Sequence, residues 1–133
     1  MKIIFNFSHA LTGDQITQIQ SQVKDQINEI IIPIHFNQDK SFLQQVGKQI
    51  DYKMIVKYAR RQNGLLIIPP ALGVITCLLL AKLHGLLGYF PSIVRLRPVD
   101  QGLFQDYQVA EIINLQTLRD QSRKKRIKNE VLS

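Results

Sequence analysis

Apolar residues along this chain fall into two kinds of run that alternate. Short aliphatic blocks, of strand length, are followed by longer segments whose apolar positions recur every three or four residues, as on one face of a helix. Met1 to Phe7 (MKIIFNF) is the first block, bounded by Ser8 and His9, and reads as a buried strand. Ile16, Ile19, Val23 and Ile27 then keep helical spacing. Thr12 with Gln15 three residues on forms a capping-box pattern, so a helix begins there and ends near Asn28. Its polar face is mostly Gln and reads as a solvent face. Glu29 to Phe36 (EIIIPIHF) is the second strand. Pro33 within it cannot donate a ladder hydrogen bond, which places it near a sheet edge or a bulge.

Asn37 to Lys40 is a polar loop. Ser41 can cap a second helix carrying Phe42, Leu43, Val46 and Ile50, resuming from Tyr52 to Arg61 before an Asn63-Gly64 stop. Leu65 to Ile68 (LLII) has the pattern of a strand buried on both faces. Pro69-Pro70 ends it, and an apolar helix runs from Ala71 to about Leu87, with Pro70 suited to its first turn and Gly85 and Gly88 closing it. Phe90 to Leu96 is a fourth strand ended by Arg97-Pro98, and Asp100 to Asp106 a loop. Tyr107 to Leu115 is a fifth strand or extended segment, and Gln116 to Val131 a polar helix. Strand–helix alternation of this kind predicts an α/β fold: an open, mostly parallel sheet with helices on both faces.

Length and composition narrow this picture. The 133 residues make one domain, with a core region over 1–118 and a basic C-terminal tail over 119–133. The net charge is +7, and the tail, with six cations against two anions, carries +4 of it. That balance points to an anionic partner: nucleic acid, a nucleotide or an acidic protein. The single cysteine, Cys77, excludes a disulfide framework and a cysteine-based zinc site. The unbroken apolar stretch Ala71 to Ala81 falls far short of the ~20 residues that span a bilayer, and no secretory pattern follows the first strand. A soluble protein of the cytoplasm is expected.

In an open parallel sheet, ligands gather beyond the carboxyl ends of the strands. That rule selects Asn6, Ser8, His9 and Thr12 after the first strand, Pro69, Pro70, Ala71 and Leu72 at the start of the apolar helix, and Arg95 and Arg97 near the end of the fourth strand. Together they suit an anion: a helix start offers N–H groups and partial positive charge, and arginines offer planar forks for phosphate. Each has a plainer reading. Ser8 and Thr12 can serve as helix caps, and His9 as a loop residue bonded to backbone. Arg95 and Arg97, two apart, share one strand face and can form a salt-bridged surface stripe. His35 reads as structural, and His84 as facing solvent or a partner. There is no GxGxxG after the first strand, no GxxxxGK[ST], no HExxH and no CxxC, and acids are scarce near the strand ends. No metal and no cofactor is implied.

At NFSHALT (Asn6 to Thr12), PPAL (Pro69 to Leu72) and LHGLLGYFPSIVRLRPV (Leu83 to Val99), the chain resembles a small CRISPR-associated family of type III systems, grouped with the Rossmann-like ring-nuclease candidates. Ala10 stands where that pattern commonly has Pro, and the basic tail has no counterpart in it. The resemblance implies a Rossmann-like (CARF-like) domain that binds a cyclic oligoadenylate, with cyclic tetra-adenylate first among the rings, across a homodimer or higher assembly. It further implies that Asn6, Ser8 and His9 touch ribose or adenine, that Pro70, Ala71 and Leu72 present helix-end amides and an apolar wall, and that Arg95 and Arg97 meet phosphates.

Two activities follow from that expectation. One is sequestration of the messenger, which dampens type III signalling. The other is metal-independent ring cleavage through the ribose 2′-hydroxyl, with His9 as acid or base and Arg95 stabilising charge. One histidine with no evident second acid–base group favours sequestration. A DNA- or RNA-binding module working through the basic tail is the alternative of another class, with a scaffold for an acidic protein as a third.

Overall fold

The computed structural model describes residues 1–61 and 64–128. Ten elements follow one another: β1 (Lys2–Asn6), α1 (Gly13–Val23), β2 (Ile27–Ile31), α2 (Phe42–Gln49), α3 (Tyr52–Arg61), β3 (Leu65–Ile68), α4 (Gly73–Leu87), β4 (Ser92–Gln101), β5 (Phe104–Ile113) and α5 (Leu115–Ile127). The five strands form one sheet in the order β2-β1-β3-β4-β5. The first four are mutually parallel and β5 is antiparallel to β4. This is the α/β, mostly parallel, Rossmann-like architecture that the alternation predicts.

Two apolar clusters sandwich the sheet. Ile3, Phe5, Leu65 and Ile67 pack with Ile75, Leu79 and Leu83 of α4, and with Val46 and Ile55 of α2 and α3, on one face. Ile4, Leu66, Ile68 and Val94 pack with Ile19 of α1 on the other. All four residues of β3 are buried, because a central parallel strand shows its side chains to both layers. β1 turns left in this order, to β2 through α1, whereas β3 turns right, to β4 through α4. Right-handed crossovers in opposite directions put their helices on opposite faces, and a crevice opens between the carboxyl ends of β1 and β3.

Several boundaries differ from the sequence-based expectation, each for a physical reason. α1 stops at Val23, where Lys24 takes a left-handed conformation at φ 55°, and Ile27 pairs with Lys2 as the first residue of β2. β2 therefore ends at Ile31, and Pro33, His35 and Phe36 lie in a loop rather than a strand. The last main-chain bond of that edge runs from the Ile32 N–H to the Asn6 carbonyl, 2.8 Å, and Pro33 next to it has no hydrogen to continue. α4 starts at Gly73, with Leu72 as N-cap, so Pro70 precedes the helix; Gly85 lies inside it and Gly88, at φ 81°, closes it.

The fourth strand runs through Arg97-Pro98 to Gln101, and the expected loop shrinks to a Gly102-Leu103 turn, with Gly102 at φ 74° as a type II′ hairpin requires. Pro98 is tolerated because it pairs with Tyr107, whose carbonyl points away from β4. In such a pair the Pro nitrogen points away from β5 as well, toward the side where β3 has already ended. α5 begins at Leu115, capped by Asn114, and runs without a break across residues 118 and 119; Val131 and the tail end lie outside the described residues. Asn63 of the stop signal also lies outside them.

The glutamine face of α1 does not simply meet solvent. Gln15 is buried and does two things at once. Its Oε1 accepts from the Thr12 N–H to complete the capping box, and its Nε2 donates to the Tyr107 carbonyl at 2.8 Å. Gln18 Oε1 accepts from the Val109 N–H, also at 2.8 Å. These side chains occupy the outer hydrogen-bonding edge of β5, which would otherwise be a template for another strand.

Candidate functional site

The carboxyl end of β1 is built around Asn6, which is fully buried. Its Oδ1 accepts from the Ser8 N–H at 2.8 Å, and its Nδ2 donates to the His9 carbonyl at 2.8 Å and to Glu29 Oε2 at 2.7 Å. The same Glu29 oxygen accepts from the Leu11 N–H at 3.0 Å. Both amide hydrogens of Asn6 are thus engaged inside the protein. Asn6 shapes the turn that carries Ser8 and His9, whose side chains are exposed.

Facing that turn is the loop after β2. It has no strand partner, and α2 substitutes for one. Gln49 accepts from the His35 N–H at 2.9 Å and donates to the His35 carbonyl. Gln45, one turn earlier, accepts from the Asn37 N–H at 2.7 Å and donates to its carbonyl at 2.9 Å. The two carboxamides hold the main chain as a ladder would and leave the His35 ring exposed.

Between the two loops lies a cleft of about 380 Å³. Ser8 and His9 form one side, Ile32 to Phe36 another, and Pro70, Ala71 and Leu72 close it at the start of α4. Phe7 and Ile75 supply an apolar floor. The arrangement places His9 and His35 in one cleft. The apolar pattern of Glu29 to Phe36 puts His35 in a strand and away from the site; the signal that points to the cleft is Pro33, two residues before it, beyond which no strand continues.

The start of α4 differs from the other helix starts. Thr12, Ser41, Asp51 and Asn114 each accept a main-chain N–H at the heads of α1, α2, α3 and α5. Leu72 has no side-chain acceptor, and α4 has no side-chain cap among the described residues. Its first-turn amides point beyond the sheet end with the partial positive charge of a helix start.

Arg95 and Arg97 lie outside the cleft lining, on the projecting β4–β5 hairpin. Ile93 packs on the α4 side of the sheet, so alternation puts both arginines on that side. Continuing the pairing of Ile67 with Ile93 brings Arg95 level with Pro69. Arg95 Nη2 meets Glu111 Oε2 at 3.0 Å, with both side chains about half exposed (52% and 50%). Arg97 is exposed opposite Gln108 and has no ion pair among the described residues. β3 separates β1 from β4, so the His9 turn and the arginines stand about 10 Å apart, two strand spacings, with the head of α4 between them.

His84 is half-buried and stacks on Phe90 with ring centres 4.2 Å apart, away from the cleft. Among the described residues no group of three or more His, Cys, Asp or Glu side chains is placed to hold a metal ion. No described helix is long and apolar enough to cross a membrane. Comparison with protein-family models, with curated proteins and with solved structures gave no match, so the site stands on its own geometry.

Proposed function

We propose that two copies of this chain bind one cyclic oligoadenylate, of tetra-adenylate size, over their strand ends, and so lower the free messenger of type III CRISPR signalling in the cytoplasm. The observation that carries this reading is the spread of the site. A cleft with Ser8 and His9, an uncapped helix start and a pair of arginines lie side by side over about 10 Å. An anionic ligand about the size of a dinucleotide reaches all three, which is half of a tetranucleotide ring. A ring of four phosphates with near four-fold symmetry can be gripped half by each of two identical subunits. Leu72 and Val74, at the head of α4 beside the cleft, are 40% and 60% exposed, apolar surface suited to a second copy.

In this reading Ser8 and His9 meet ribose or adenine, Pro70, Ala71 and Leu72 supply the wall and helix-end donors, and Arg95 and Arg97 meet phosphates. Asn6 acts from below, by fixing the turn. A charge-assisted phosphate contact contributes about 1.5–3 kcal/mol. Calorimetry with cyclic tri-, tetra- and hexa-adenylate tests the reading. The expected result is tight binding of the tetra-adenylate at half a ring per subunit, weakened roughly ten- to hundredfold by Arg95→Ala. Absence of heat with all three rings overturns it.

One observation favours the second reading, slow ring cleavage. A 2′-hydroxyl attack needs a base for the nucleophile and an acid for the leaving oxygen, and both His9 and His35 line the cleft. Chromatography after incubation with excess ring separates the two: linear adenylates formed over many turnovers, and lost in His9→Ala and His35→Ala, establish cleavage.

A further inference from the structure

The last helix carries more positive charge than its surroundings neutralise. α5 packs against β4, and in its first turns Leu115, Gln116, Arg119 and Asp120 are half-buried; Gln116 Oε1 accepts from the Phe90 N–H just before β4, and Arg119 pairs with its neighbour Asp120 at 2.9 Å. From Gln121 to Lys128 every residue is exposed. Arg123, Lys124, Lys125, Arg126 and Lys128 have no ion pair among the described residues. The favourable field of a helix C-terminus accounts for cations in the last turn. It does not account for their distribution around the helix.

At about 100° per residue, Arg119, Arg123 and Arg126 fall on one face, and Lys124, Lys125 and Lys128 fall on the opposite one. Leu118 and Ile127, 58% and 67% exposed, project to opposite sides between them. A helix that lies on a membrane needs one continuous apolar face, and α5 has none. A flat acidic protein surface neutralises one face and leaves the other in water. A groove walled by phosphates on both sides neutralises both. The B-form major groove is about 12 Å wide and admits a helix of 10–12 Å diameter, whereas the A-form major groove is too narrow.

We infer that α5 is a sequence-independent binding element for duplex DNA, lying in the major groove with its arginine face toward one backbone and its lysine face toward the other. β5 runs antiparallel to β4 and ends beside the start of β4, so α5 leaves the sheet at the end opposite the cleft. DNA and a ligand in the cleft then occupy different ends of the molecule.

The test is fluorescence anisotropy of the full chain with a labelled 20-bp duplex DNA across a salt series. Five cations without ion pairs predict that log K falls with log salt at a slope of about −4 to −5. Arg123→Ala/Arg126→Ala and Lys124→Ala/Lys128→Ala are each expected to lower that slope by about two, with circular dichroism confirming that both variants fold. The A-form duplex RNA of the same sequence is expected to bind at least tenfold more weakly. No DNA binding at 50 mM salt overturns the inference. So does loss of slope in only one of the two variants, which marks phosphate contact through one face of the helix and no insertion between two backbones, or equal affinity for duplex RNA.

Discussion

Asn6 and Glu29, twenty-three residues apart, are joined side chain to side chain at 2.7 Å across the β1–β2 pair. The contact is the anchor of the His9 turn. Glu29 also holds the Leu11 N–H, so one carboxylate ties the strand end to the approach of α1. Glu29→Ala leaves an Asn6 hydrogen and the Leu11 amide unpaired. It is expected to cost about 2–3 kcal/mol in urea unfolding, and Glu29→Gln, which keeps an acceptor, less than half of that. Equal losses in the two variants would show that the carboxylate charge, not merely an acceptor of the right size, is what matters there.

Gln15 links the head of α1 to β5 from ninety-two residues away. Gln15→Ala removes the capping-box acceptor and uncovers the Tyr107 carbonyl. The expected cost is about 1–2 kcal/mol, with faster amide exchange along β5 and a new tendency to self-associate through its edge. Size-exclusion chromatography at two concentrations reads the last effect. An unchanged exchange pattern in β5 would show that Gln18 alone holds the edge.

Tyr52 gives the clearest pH signature. Among the described residues its buried hydroxyl has no hydrogen-bond partner, and burial pushes its ionisation up from 10.0 to about 12. The folded state therefore keeps the proton after the unfolded state has lost it. Stability is unaffected below pH 10 and falls as pH rises from there toward 12. Tyr52→Phe is expected to remove that part of the alkaline loss and to hold or slightly raise stability at pH 7, since no partner is orphaned. Thermal melts from pH 8 to 12 measure both.

Glu111 competes for Arg95. An exposed pair of this kind is worth about 0–1 kcal/mol, so Glu111→Gln is expected to tighten phosphate-ligand binding by up to about fivefold with little change in melting temperature. Weaker binding in that variant would mean that Glu111 orients the guanidinium instead of occupying it.

The parts of the fold that local chemistry dictates were legible in the sequence. The Thr12–Gln15 capping box, the Ser41 cap and the doubly buried LLII strand each need only neighbouring residues, and each stands as read. What escaped reading depends on partners far along the chain. The α1 and α2 glutamines look like solvent-facing residues until β5 and the His35 loop arrive as backbone partners. Pro98 reads as a strand end until β3 stops short of it. The Arg95–Glu111 stripe was foreseeable in kind, since alternation puts Arg95 and Arg97 on one face, but not its partner. In the cleft, the Ser8–His9 turn and the Pro70–Leu72 corner were readable as strand ends, whereas His35 was hidden by running the second strand through Pro33. Glu29 had one available signal, a lone carboxylate opening an aliphatic strand.

Pro69 and Pro70 sit where β3 hands over to α4, and their rings hold two consecutive φ angles near −65°. The corner that closes the cleft is thereby stiff before any guest arrives. If the cleft takes the anionic ring proposed above, capture demands little rearrangement of this wall, and its speed is expected to follow diffusion and charge attraction, slowing as salt is added, rather than the waiting time of a moving gate.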